Sequence, residues 1–223
     1  MPRKIEAVVI DFDDTLCLTE AASFDLENTV LSRMGRSPMD RASHIANWGQ
    51  PIAEAIAARS PGINVEEFLD IFYPTVTEFV AEGRLDVVPP ENYQALDELV
   101  SAGKQVMILT SRTHDELKHI LEPDHLLSRS ISAFYYRDNT THYKPDPRAF
   151  DNLLKTHDLS PEQCIYVGDS PTDAQASNGA GLYFVANLES GIRQKQDFAD
   201  YSVDAYIQRF SDVVGAVAQI DRT

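Results

Sequence analysis

The sequence predicts an α/β fold: a doubly wound parallel sheet that carries a small helical domain as an insert. Short apolar runs of strand length recur along the 223 residues, with helix-period segments between them. One long interval, from Leu16 to Pro89, holds helix patterns and no strand. Strands that are apolar throughout belong to sheets covered on both faces, as parallel sheets are. Strands alternating with helices of ordinary length give the doubly wound arrangement.

Ile5–Ile10 is the first predicted strand, followed by Gln105–Leu109, Ala133–Tyr136, Ile165–Val167 and Leu182–Val185, with Ala205–Ile207 as a sixth. Glu91–Ser101, Asp115–Leu121, Pro147–Thr156 and Pro171–Gly179 are the helices between or after them. The insert carries four helix-like stretches, Glu20–Met34, Met39–Asn47, Pro51–Arg59 and Val65–Glu82. It is too long for a crossover and too patterned for a loop. Residues 1–16 and 90–223 are therefore assigned to the α/β core and 17–89 to a helical cap, with Pro89-Pro90 as a hinge on the return side. Phe68, Phe72, Tyr73 and Phe79 lie at near-helical spacing and read as cap core.

Composition sets limits on function. With 19 basic and 35 acidic side chains the formal net charge is −16, which argues against nucleic acid or anionic membranes as partners. No run approaches the ~18 apolar residues of a membrane span. The brief basic start is followed by an apolar run broken by Glu6, unlike a secretory signal, so a cytoplasmic location is expected. Cys17 and Cys164 are far apart and form no CxxC site; Cys164 reads as core and Cys17 as adjacent to the acidic cluster.

Chemistry is concentrated after the strands, where open α/β sheets bind ligands. Asp11, Asp13, Asp14 and Thr15 follow the first strand; Thr110, Ser111 and Arg112 follow the second; Lys144-Pro145 comes after the third; Gly168-Asp169-Ser170-Pro171-Thr172-Asp173 follows the fourth. Singly, each has a structural explanation, since Asp, Ser and Thr cap helices and make turns. Together, Asp11, Asp13, Asp14, Asp169 and Asp173 would repel one another at one sheet edge, by roughly 4 kcal/mol for a pair at 4 Å and an effective dielectric near 20. A divalent cation removes that cost, and an all-oxygen set suits magnesium.

These segments resemble the motifs of the haloacid dehalogenase-like superfamily, in its phosphatase branch, over essentially the full chain. The pattern DxDxT matches Asp11-Phe12-Asp13-Asp14-Thr15, the hydroxyl motif Thr110-Ser111-Arg112, the lysine motif Lys144-Pro145-Asp146-Pro147, and the acidic motif Gly168 to Asp173. Ala180-Gly181 matches the family's downstream pair. An insert directly after the first motif resembles the cap of phosphoglycolate-phosphatase-like members, over a Rossmann-like core.

The resemblance implies hydrolysis of a phosphomonoester in two steps. Asp11 is the implied nucleophile, forming an aspartyl-phosphate, and Asp13 the implied acid and then base. Mg2+ would be held by Asp11, the Asp13 backbone carbonyl and Asp169. Thr110, the Ser111 amide and Lys144 would bind the phosphoryl group, with Arg112 reaching a distal anionic group. Asp173 would orient Lys144 or metal-bound water, and Thr15 the Asp13 loop. Of the cap, Thr19, Trp48 and Gly49 are expected to face the substrate, with core packing an equal role for Trp48. The cap arginines, Arg33, Arg36, Arg41, Arg59 and Arg84, read chiefly as solvated helix residues, and His44 as a surface or core histidine.

The partner expected is a small phosphorylated metabolite, with the chain a monomer or homodimer. Dehalogenation, which resembling enzymes perform without metal or second aspartate, is disfavoured by Asp13 and Asp169. The stretch between Lys4 and Lys104 has no lysine. That disfavours phosphonatase chemistry and, less strongly, a phosphomutase of the β-phosphoglucomutase type. A response-regulator-like acceptor would carry its aspartate after a later strand. A non-catalytic phosphate-binding module is the remaining alternative.

Overall fold

The computed structural model describes residues 5–222. The chain begins with β1 (Ala7–Ile10), α1 (Glu20–Arg33), α2 (Arg41–Ala46), α3 (Ile52–Arg59), α4 (Val65–Ala81) and α5 (Pro90–Ser101). It continues through β2 (Gln105–Leu109), α6 (His114–Leu117), β3 (Ala133–Tyr135), α7 (Asp151–Thr156) and β4 (Cys164–Gly168). The last elements are α8 (Pro171–Ala180), β5 (Tyr183–Asn187), β6 (Ala205–Ile207) and α9 (Val213–Ile220). Two compact units result, one holding the chain up to Leu16 and from Val88 onward, the other Cys17–Val87.

In the first unit the six strands pair in the order β3-β2-β1-β4-β5-β6, every pair parallel. The order runs one way from β1 to β3 and the other from β4 to β6, so the switch point falls between β1 and β4, where a crevice opens at the carboxyl ends. Ile10 lies beside Val167 in that pairing, which brings the residues after both strands to one place. β1 and β4 are buried throughout, as their unbroken apolar sequence requires. Val9, Phe150, Tyr166, Phe184 and Phe198 share one core cluster. Both cysteines are buried and neither forms a disulfide; burial pushes the Cys164 thiol up to about 12.

Local chemistry sets the helix ends. Ser170 caps α8, Pro171 supplies its pre-set first turn, and Gly181 stops it at φ 82°. Three predicted helices are shorter than their pattern. Asp40 accepts the Ser43 amide at 2.9 Å, so α2 starts only at Arg41. α6 is a single turn, opened by Thr113, whose amide donates to Glu116 Oε2 at 2.7 Å. Pro147–Phe150 is a 3₁₀ turn that precedes α7.

The second unit packs α1 and α4 through Val30, Leu31, Ile56 and Phe68, and through Leu26, Phe79 and Leu85. Phe68 and Phe79 are buried and Phe72 packs against them, whereas Tyr73 is 52% exposed and does not join the core. Nor do the arginines all point to solvent. Arg59 is buried and donates to Glu27 Oε1 at 2.5 Å. His44, fully buried, sets Nδ1 2.7 Å from Glu20 and Nε2 3.2 Å from Glu27, and Arg41 pairs with Glu20 from outside. A continuous chain of polar contacts, Arg41–Glu20–His44–Glu27–Arg59, therefore threads the helices.

Candidate active site

Asp11 leaves β1 at the switch point, its amide bonded to Val167 O at 2.9 Å. The following turn is tight: Asp14 sits at φ 53°, a left-handed conformation that aspartate tolerates better than most residues. Two buried carboxamides hold this turn by its carbonyls, Asn187 Nδ2 on Thr15 O at 3.0 Å and Asn92 Nδ2 on Leu16 O at 2.9 Å. The Thr15 hydroxyl, expected to position the Asp13 loop, is buried with no hydrogen-bond partner among the described residues. The loop is tethered through main-chain oxygens instead.

Lys144 reaches the same place from the connection after β3. Its ammonium lies 2.8 Å from Asp11 Oδ1, 2.7 Å from Asp173 Oδ1 and 2.9 Å from the Tyr166 hydroxyl. Three N–H donors thus meet three acceptors. The Tyr166 oxygen is also 3.1 Å from Leu109 O, the carbonyl just before Thr110. Tyr166 was not singled out by the sequence, where it is one more aromatic in an apolar strand; its hydroxyl joins the ends of β2 and β4 to Lys144.

Asp173 is fully committed. Its Oδ2 accepts the Ser170 hydroxyl at 2.6 Å and amide at 3.1 Å, while Oδ1 takes Lys144. Gly168 makes room for it: a Cβ there would lie 2.6 Å from Asp173 Cβ and Cγ.

Carboxylate oxygens of Asp11, Asp169 and Asp173 come within 4.8 Å of one another. Burial raises Asp11 to about 7; Lys144 opposes the shift, and Asp173 and Asp13 add to it. Burial also holds Asp169 well above the usual carboxylate range, reinforced by Asp173, Asp11 and Asp14. On Lys144, burial is outweighed by Asp11 and Asp173, which keep the ammonium charged far above its ordinary value. Lys144 is shared between Asp11 and Asp173, and among the described residues no cation pairs with Asp169. This hard-oxygen pair, Asp11 and Asp169, fits a divalent ion; Asp173, its oxygens taken by Ser170 and Lys144, does not need one.

Thr110 is buried at the end of β2, its hydroxyl accepting from the Arg112 amide at 3.2 Å, and Ser111 is exposed. Arg112 turns back toward β1. Its guanidinium forks onto Asp13, with Nη2 2.6 Å from Oδ1 and Nε 3.0 Å from Oδ2, and its centre lies 4.9 Å from the Phe12 ring. Thr19, Trp48 and Gly49 belong to the other unit. There Thr19 is buried at the start of α1, Trp48 packs on His44 at 5.2 Å between ring centres, and Gly49 holds φ 87°.

The model of the haloacid dehalogenase-like hydrolases matches residues 8–187. A pyrophosphatase, PpaX, of Bacillus velezensis is 26% identical over 218 residues, covering 95% of this chain and 96% of that protein. A phosphoglycolate phosphatase of Aliivibrio fischeri is 24% identical over 98% of this chain and 99% of its own length. Among solved structures, a protein of Thermotoga maritima described as a putative β-phosphoglucomutase superposes with a TM-score of 0.79 at 20% identity, covering 96% of this chain and 99% of that one.

Proposed function

This chain belongs to the haloacid dehalogenase-like hydrolase family, and from that premise we propose that it is a magnesium-dependent phosphatase acting on a small phosphomonoester through a phosphorylated Asp11. The observation that carries the reading is the contact of Lys144 with Asp11, 2.8 Å at the switch point of the sheet. A buried carboxylate with a fixed ammonium on one oxygen is held in place to use the other as a nucleophile.

An Asp11 oxygen attacks phosphorus in line. The bond to the leaving oxygen breaks, and that oxygen takes a proton from Asp13. Water then attacks the same phosphorus, giving a proton to Asp13 and releasing phosphate from Asp11. Thr110 and the backbone amides of its loop are suited to hold phosphoryl oxygens, and Lys144 balances charge on Asp11. Asp11, Asp169 and the Asp13 carbonyl would hold magnesium, which neutralises phosphoryl charge when bound.

The two relatives, named for pyrophosphate and phosphoglycolate, support a small and highly anionic substrate. Likeness to the mutase-named structure is one of fold alone. Residues 17–89 are assigned the role of a cap, with Thr19, Trp48 and Gly49 as its specificity residues. The test is release of p-nitrophenol from p-nitrophenyl phosphate with and without magnesium. Turnover should need the metal and vanish in Asp11→Asn; magnesium-dependent turnover retained in that variant would overturn the reading.

A further inference from the structure

The phosphatase reading leaves the identity of the leaving group open, and the cation nearest to it bears on the answer. Lys144 spends its three donors on Asp11, Asp173 and Tyr166, so it serves the nucleophile. Arg112 serves the other side. It forks onto both oxygens of Asp13, the residue that by that reading meets the leaving oxygen. Its side chain is 14% exposed, its guanidinium lies against Phe12, and its carbonyl accepts the Arg137 amide at 2.9 Å. The arginine is therefore placed by its backbone and by an aromatic ring, not merely drawn to the nearest acid.

We propose that Arg112 selects substrates whose leaving group carries its own negative charge, a carboxylate or a second phosphate. The inference rests on the phosphatase reading of the same site. A leaving group that reaches Asp13 comes within one contact of the guanidinium. Asp13 must turn an oxygen toward the leaving group, which loosens the fork; an anionic leaving group gives the guanidinium a new planar partner, and a neutral one does not. Without Arg112, a second negative charge would enter a site already lined by Asp11, Asp13, Asp14 and Asp169, and repulsion would exclude it.

Two matched pairs test this: 2-phosphoglycolate against 2-hydroxyethyl phosphate, and pyrophosphate against methyl phosphate. For the anionic substrate that is used better, kcat/KM in the wild-type protein should exceed that of its neutral partner by roughly 30-fold or more. In Arg112→Met that ratio should fall by about tenfold or more, with Arg112→Lys between. A smaller fall, or a wild-type protein with no preference, overturns the proposal. If Arg112→Met turns over neither member, calorimetric binding of the same pair to Asp11→Asn, with and without Arg112→Met, is judged by the same ratio. A wild-type protein that hydrolyses no phosphoester sinks the phosphatase reading instead, and the binding measurement still decides on Arg112.

Discussion

Gly168 and Asp173 are packed so closely that a methyl group on the first would fall 2.6 Å from the Cβ and Cγ of the second. Asp173 is the buried anchor for Lys144, so the absent side chain at the end of β4 helps to place the ammonium on Asp11. Gly168→Ala should cost about 1–3 kcal/mol of stability by overpacking, and should lower kcat by more than its stability loss explains. Urea unfolding and steady-state kinetics on the same preparation check it. Full activity in a destabilised variant would mean that the Asp173 anchor is dispensable.

Tyr166 makes a finer adjustment. Burial, then Asp173, pushes its hydroxyl well above the ordinary tyrosine range, so it keeps a proton to donate to Leu109 O or Asp173 Oδ1 while accepting from Lys144. Tyr166→Phe keeps the ring and removes one of three acceptors around the ammonium. Stability should drop by about 1 kcal/mol. kcat should fall roughly tenfold, since 1.36 kcal/mol of barrier is a tenfold change, with KM altered less. A raised KM with kcat unchanged would instead point to substrate binding.

Much of this was legible in the sequence, and the limits have physical causes. Six apolar strands, the helical interval and the acids at the strand ends are periodic or positional signals, and sequence carries those directly. Pairings between distant residues leave no such trace. Asn92 and Asn187 hold the Asp11 loop by its carbonyls from 76 and 172 residues away, and any polar residue on a strand or helix end looks alike beforehand. Charge alone argues for solvent at Arg59, and at His44 the sequence leaves surface and core open. Only the meeting of α1, α2 and α3 shows that their partners, Glu20 and Glu27, are buried with them.

Burial of the carboxylates, with their mutual repulsion added, predicts an unusual dependence of stability on pH. Asp11 moves from 3.8 unfolded to about 7 folded. Between those values the native protein holds a proton that the unfolded chain releases, so stability falls as pH rises. Asp169 shifts in the same direction, and Lys144 stays charged throughout. With chelator present, Tm should fall from pH 5 to pH 8. Magnesium binds the ionised carboxylates, so it should raise Tm more at pH 8 than at pH 5. A chelated protein whose Tm climbs over this range would contradict the arrangement.

The buried Glu27–Arg59 pair in the helical unit gives the last prediction. Glu27 Oε1 accepts Arg59 Nη1 and lies 3.2 Å from His44 Nε2, while Oε2 is buried without a partner among the described residues. Removing one member strands the other: Glu27→Leu leaves Arg59, 2% exposed in its side chain, without its carboxylate. Breaking such a pair costs about 3–5 kcal/mol, whereas replacing both ions by apolar groups is often nearly neutral. Glu27→Leu and Arg59→Met should each be strongly destabilising, and the double variant less so than the worse single one. The single tryptophan of the chain, Trp48, packs on His44 and reports the transition by fluorescence in urea. A double variant whose loss equals the sum of the singles would show that the two charges act independently. In that case packing of the aliphatic stems, not the ion pair, would be what these residues contribute.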